Sequence, residues 1–217
     1  SPMKLPEKSL SLGSIARLLS QQGYQTEFLY GGDINFTNTK SYLLANGFQT
    51  VLGDTHFPAS VRHTHSWGVT DAITFDTLYQ RIMRIPPRRP WFTTFLTLAS
   101  HEDWQVPFHR AELNKKANAI AYLDDCLGKF VDRMRNTPQW DSLLIICLPD
   151  HGIGYPEGLG EDNARRYHVP MLWLGGAIKK PDFIDKICSQ TDLLATLMGQ
   201  LHIDHEQIPF SRDIMSM

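Results

Sequence analysis

The chain has 217 residues, 42% of them hydrophobic and 11% aromatic, which is enough to bury a core within a single domain. Its 21 basic against 23 acidic residues leave a formal charge of −2, so no long-range field recruits nucleic acid or an anionic membrane surface. No apolar run approaches the roughly 18 residues that cross a bilayer and the N-terminal SPMKLPEKS lacks a signal-peptide core, so the chain itself is expected to be soluble.

The apolar residues Leu10, Leu12, Ile15, Leu18 and Leu19 fall near helical spacing and predict a first helix that stops at Gln22-Gly23. TEFLY, Thr26 to Tyr30, reads as a short strand broken by Gly31-Gly32. A helix over Thr37 to Ala45 is closed by Asn46-Gly47, and a strand follows over Phe48 to Leu52. The polar, histidine-containing stretch Gly53 to Ser66 reads as a loop, and Asp71 to Ile85 as an amphipathic helix. WFTTFLTLAS, ending at Ser100, has the composition of a strand covered on both faces. A long helix from about Ala111 to Arg135 carries Ile120, Leu123, Leu127, Phe130, Val131 and Met134 on one stripe. Leu143 to Leu148 and Val169 to Gly175 are the remaining strands, and Ser189 to Leu201 the last helix. Alternating strands and helices predict an α/β fold with a mostly parallel sheet covered by helices on both faces, in one globular unit. Cys126, Cys147 and Cys188 are widely spaced with no CxxC, and are expected to be buried small hydrophobes rather than a disulfide frame or metal cluster.

In open α/β sheets ligands sit beyond the carboxyl ends of the strands, and both Ser100-His101 and Asp150-His151 fall where apolar strands run out. An adjacent carboxylate and imidazole suit a divalent metal, and Gly152 lets the backbone turn away without a Cβ; Asp-His-Gly is equally a good turn. Arg165-Arg166 offers charge-assisted bonds to an anion or is a solvated pair. His56, His63 and His65 cluster without a carboxylate or cysteine at ligand spacing and read as ordinary loop histidines. Trp67 and Trp104 either pack on a lipid or sugar head group or anchor their loops.

Six segments then occur in order: YGGDINF at Tyr30 to Phe36, NGF at Asn46 to Phe48, WGVTD at Trp67 to Asp71, TLASHEDWQVPF at Thr97 to Phe108, PDHG at Pro149 to Gly152, and QTDLLATLMG at Gln190 to Gly199. Together they resemble the sulfatase-like branch of the alkaline phosphatase superfamily, and within it the lipoteichoic acid synthase and phosphoglycerol transferase group. The resemblance implies that Asp150 and His151 are paired ligands of a divalent metal, Mn²⁺ or Zn²⁺ with Mg²⁺ or Ca²⁺ as alternatives. It gives His168 as a further candidate ligand and His101 as the histidine that contacts the transferred phosphate. Arg166 and Trp67 complete the candidate substrate-binding set.

The implied activity is that of a membrane-anchored, extracytoplasmic transferase moving a phosphoglycerol- or phosphoethanolamine-like group from lipid to a glycan. A sulfatase or phosphatase, or a non-catalytic domain, are the alternatives. Polyglycerol-phosphate members are expected to carry a tryptophan and an arginine where Thr37 and Thr39 stand, so their bidentate phosphate clamp is missing here. The family's first strand, with an acidic ligand, and its nucleophile-bearing helix would precede Ser1. The chain is therefore expected to be the C-terminal portion of a catalytic domain, silent by itself, and open at a sheet edge that a second copy could cover in a homodimer.

Overall fold

A computed structural model describes residues 11–155, 158–206 and 208–216; Leu10, at the predicted start of the first helix, lies outside them. They form two compact units, one of residues up to 127 together with those from 185 onward, the other of residues 128–184.

In the first unit, β1 (Gln25–Tyr30) is flanked in parallel by β2 (Thr50–Leu52) and β3 (Trp91–Leu96), in the order β2-β1-β3. Four consecutive residues of β1, Thr26 to Leu29, are buried, as a strand covered on both faces requires. Helix α1 (Ile15–Gln21) begins at Ser14, whose hydroxyl accepts the Arg17 N–H, and buries Ala16 and Leu19. Helix α2 (Thr39–Ala45) starts two residues later than its apolar pattern predicts, because Thr37 and Asn38 adopt positive φ in a preceding 3₁₀ turn. Phe28, Ile34, Leu43 and Val51 make a core cluster beside β1, and Phe75 of α3 (Asp71–Met83) meets Phe95 edge to face at 4.7 Å.

The one buried acid of the central strand, Glu27, takes Arg81 Nε at 2.7 Å and a second guanidinium nitrogen on its other oxygen. Helix α4 (Lys115–Arg135) buries Ala119, Tyr122, Cys126, Phe130 and Met134. That face lies one position to the side of the predicted stripe, so Ile120 is exposed.

Helix α5 (Asp192–Gln200) is fastened to the C-terminal segment through its first residue. The buried Asp192 carboxylate accepts the Ser189 N–H at 2.8 Å, the Arg212 N–H at 3.0 Å and Arg212 Nη2 at 3.3 Å. Burial alone would raise its pKa, but these donors outweigh it and hold the carboxyl below the usual range. A depressed folded-state value stabilises above the unfolded value of 3.8 and is lost as pH falls through the folded one. Urea midpoints measured across that acid window should therefore drop in the wild type, and in Asp192→Asn this part of the drop should be absent.

The second unit contains β4 (Ile145–Cys147) and β5 (Leu172–Leu174), which pair with each other and are antiparallel. Both are shorter than predicted, and their antiparallel pairing sits within a fold expected to be mostly, not wholly, parallel. No disulfide joins the three cysteines: Cys126 is buried and Cys147 half-buried, whereas Cys188 is exposed, contrary to its expected place in a core. Burial raises the pKa of the Cys147 thiol. Among the described residues no helix is long and apolar enough to cross a membrane.

Candidate functional site

Strand β3 was predicted to run to Ser100, but it stops at Leu96, and Leu98 to His101 form a turn closed by the His101 N–H on Leu98 O at 3.0 Å. The reason lies in α3. The buried carboxylate of Asp71, its first residue, accepts the Leu98 N–H at 2.9 Å and the Ala99 N–H at 2.8 Å, so these donors go to a side chain instead of a strand ladder. Burial raises the pKa of the Asp71 carboxyl, and the two backbone donors oppose that. The Tyr122 hydroxyl, its pKa raised to about 12 chiefly by burial, accepts the Ala72 N–H at the same helix start.

The turn presents His101 at the surface, with Nδ1 against Glu102 O at 2.9 Å; a proton shared there leaves Nε2 as the nitrogen for a ligand. Trp67 lies edge-on to the His101 ring at a centroid distance of 4.9 Å, and Phe36 lies edge-on to Trp67 at 6.4 Å. Phe36 and Trp67 are both exposed.

Trp67 owes its position to a tight hairpin. His65 and Gly68 exchange backbone hydrogen bonds at 2.9 and 3.0 Å, and the next residue, Val69, donates to Gly31 O at the end of β1. Gly68 has φ +147, and a Cβ there would lie 2.2 Å from Gly31 O, so only glycine lets the hairpin meet the sheet. The Trp67 N–H donates to His65 Nδ1 at 3.1 Å, which puts the proton of neutral His65 on Nε2. Among the described residues that atom is buried without a partner, and leaving such a group unsatisfied costs about 1–3 kcal/mol. Burial lowers the His65 pKa and keeps the ring neutral.

His56 turns back on Gly53 N at 3.1 Å, and His63 is exposed. Trp104, half-buried, has Lys116 Nζ 5.9 Å from its ring centroid.

In the second unit, Asp150 and His151 follow β4 after Leu148-Pro149 and are both exposed. His151 Nδ1 is 2.9 Å from Gly152 O, and Nε2 faces Asp150 Oδ2 at 3.7 Å. With the proton on Nδ1, two lone-pair atoms face each other at a distance too long for a hydrogen bond and suited to sharing a cation. Gly152 is required by close approach and not by positive φ: a Cβ would lie 1.9 Å from Arg166 O. The Arg166 guanidinium runs along the same loop, with Nη1 3.5 Å from where a Gly154 Cβ would be. Arg166 is half-buried, whereas His168 is exposed and donates its backbone N–H to Arg165 O at 3.3 Å.

The donor chemistry of Asp150 and His151 thus fits a divalent cation, to which the pair would bring two ligands. Among the described residues no group of three or more His, Cys, Asp or Glu is assembled. The structure therefore brings together Trp67 with His101, and Asp150, His151 and Arg166 along one loop. Asp71 and His65 carry more of the first arrangement than the sequence suggested. Asp71 reads there as the start of a helix and the end of WGVTD but not as a loop anchor, since its partners lie 27 and 28 residues away.

A phosphoglycerol transferase I of Xanthomonas campestris pv. campestris is 24% identical over 215 residues, covering 91% of this chain and 30% of the relative. The lipoteichoic acid synthase-like YvgJ of Bacillus subtilis is 22% identical over 91% of this chain and 36% of its own length. The chain thus spans about a third of the length of these curated relatives. Among solved structures, a protein in the alkaline phosphatase superfamily from Vibrio parahaemolyticus superposes with a TM-score of 0.81 at 29% identity, over 96% of this chain and 52% of that one. The lipoteichoic acid synthase LtaP of Listeria monocytogenes gives the same TM-score at 20% identity, over 94% and 56% of the two chains, and so shares the fold. The α/β architecture is that of the alkaline phosphatase superfamily. The sulfatase family model matches residues 2–203, and the chain belongs to the sulfatase family.

Proposed function

We propose that this chain is part of a metal-dependent, membrane-anchored transferase that works outside the cytoplasm and moves a phosphoglycerol- or phosphoethanolamine-type head group from a lipid donor. The observation that carries this reading is the Asp150–His151 pair, whose two acceptor atoms face each other at 3.7 Å in a chain related to phosphoglycerol transferases. A cation shared by Asp150 and His151 would neutralise charge on the transferred phosphoryl group. Arg166, beside the same loop, adds a charge-assisted contact to an anionic oxygen. In the first unit, His101 in its imidazolium form keeps Nδ1–H on Glu102 O and donates from Nε2 to an anionic oxygen, and Trp67 gives an apolar wall beside it.

Where a clamp of tryptophan and arginine is expected in polyglycerol-phosphate members, Thr37 and Thr39 place hydroxyls 3.4 Å apart, and the Thr39 hydroxyl is spent on Phe36 O. No cation is offered at those two positions, so the head group need not be glycerol. His168 joins the metal only if the cation orders the exposed loop around it.

Isothermal titration of Mn²⁺, and then of glycerol phosphate with Mn²⁺ present, tests the reading. Mn²⁺ binding should weaken at least about tenfold in both Asp150→Ala and His151→Ala. Glycerol phosphate should bind only with the metal, and less tightly in His101→Ala. Mn²⁺ heats that are unchanged in both ligand variants would remove the metal from this site and the reading with it.

A further inference from the structure

Two buried polar side chains of the first unit have no place in the proposed chemistry, yet both grip the backbone beside residues that do. His65 Nδ1 holds the N–H of Trp67 itself, and Asp71 holds Leu98 and Ala99, three and two residues before His101. Trp67 and His101 meet ring to ring, so one contact joins the two loops that His65 and Asp71 fix. His65 is 5% exposed and Asp71 1%, so neither is available to touch a substrate.

His65 is also a poor choice for stability alone. Among the described residues its Nε2–H is buried without an acceptor, a defect that an apolar residue of similar size would avoid. Breaches of this kind gather where a site is held in a set geometry.

We propose that His65 and Asp71 are positioning residues that clamp the loops bearing Trp67 and His101, holding the indole edge against the imidazole so that His101 presents Nε2 to the substrate. The significance of this clamp rests on the role given to His101 above, but its geometry can be read without turnover. Asp71 acts through both carboxylate oxygens. An asparagine of the same shape keeps one acceptor and turns an NH₂ group against the other N–H, which loosens the turn. His65 acts through Nδ1 alone. An asparagine there places its amide oxygen near the Nδ1 position and restores the acceptor, and a leucine does not.

The test is NMR on the isotopically labelled chain, reading the Trp67–His101 cross-peaks and the ring-current shift of the His101 imidazole protons, with Trp67→Leu defining zero. Asp71→Asn and His65→Leu should each lose more than half of that shift while their amide spectra stay dispersed, and His65→Asn should retain most of it. A shift unchanged in a folded Asp71→Asn and in His65→Leu would overturn the proposal, since purely structural roles would leave the ring contact in place. If Asp71→Asn does not fold, the comparison of His65→Leu with His65→Asn decides: equal shifts in the two sink the clamp, and a loss confined to leucine upholds it. A ring contact that responds as expected while His101→Ala leaves glycerol phosphate binding untouched would keep the clamp and discard the proposed function.

Discussion

Replacing Arg81 with methionine is expected to cost about 3 kcal/mol of stability, the lower end of the range for stranding one partner of a buried ion pair. Glu27 sits on the central strand with its side chain 8% exposed, and both carboxylate oxygens are taken by the Arg81 guanidinium. Methionine fills much of the space of the arginine stem but leaves the carboxylate in a low-dielectric place without a cation. The lower end applies because the Arg81 side chain is 35% exposed, so water can follow into the vacated space. Adding Glu27→Leu to Arg81→Met removes the stranded charge and should recover most of the loss. Urea denaturation at neutral pH of the two single variants and the double variant gives the coupling directly. A single Arg81→Met within about 0.5 kcal/mol of wild type would mean that Glu27 is solvated and the pair is no part of the core.

Gly68→Ala should be of similar size, about 3 kcal/mol or more, and should in addition move Trp67. Two independent effects combine there. The backbone sits at φ +147, a region essentially closed to residues with a Cβ, and the added carbon would lie 2.2 Å from Gly31 O. Gly23→Ala is the control. Its φ of +84 is also positive, but no heavy atom lies within 4 Å, so it should cost only about 1 kcal/mol. Chemical denaturation of the two variants, with the Trp67–His101 cross-peaks measured alongside, separates backbone strain from loss of the sheet contact. Equal costs in the two variants would show that the hairpin tolerates displacement from the end of β1.

Helices α3 and α5 are visible in the sequence because each buries a face at helical spacing and the signal is local. Strand β1 is visible because it is short, apolar and ended by Gly31-Gly32. The end of β3 is not, since an apolar run does not say where its N–H groups go, and Asp71 takes two of them from 27 and 28 residues away. The direction of β5 is hidden for the same reason: Leu172 to Leu174 would look alike in either sense, and only pairing with β4 makes it antiparallel. Ile120 fell on the predicted stripe of α4 but outside the observed one, because an apolar stripe can rotate by one position at one end, keep Phe130 and Met134 buried, and still fit.

The candidate site divides along the same line. Asp150, His151 and Gly152 are neighbours in the chain, so their chemistry, a carboxylate and an imidazole at a turn, can be read directly. The family, too, follows from motifs in order along the chain. What the sequence by itself determined is therefore the class of fold, the family and the donor types available, all of which depend on local pattern or on order. Only the tertiary structure decided that Gly152 makes room for Arg166 O, that Trp67 lies against His101, and that buried His65 and Asp71 hold the loops carrying them. Those are contacts between segments far apart in sequence, where burial and hydrogen-bond satisfaction choose among partners that local pattern leaves equivalent.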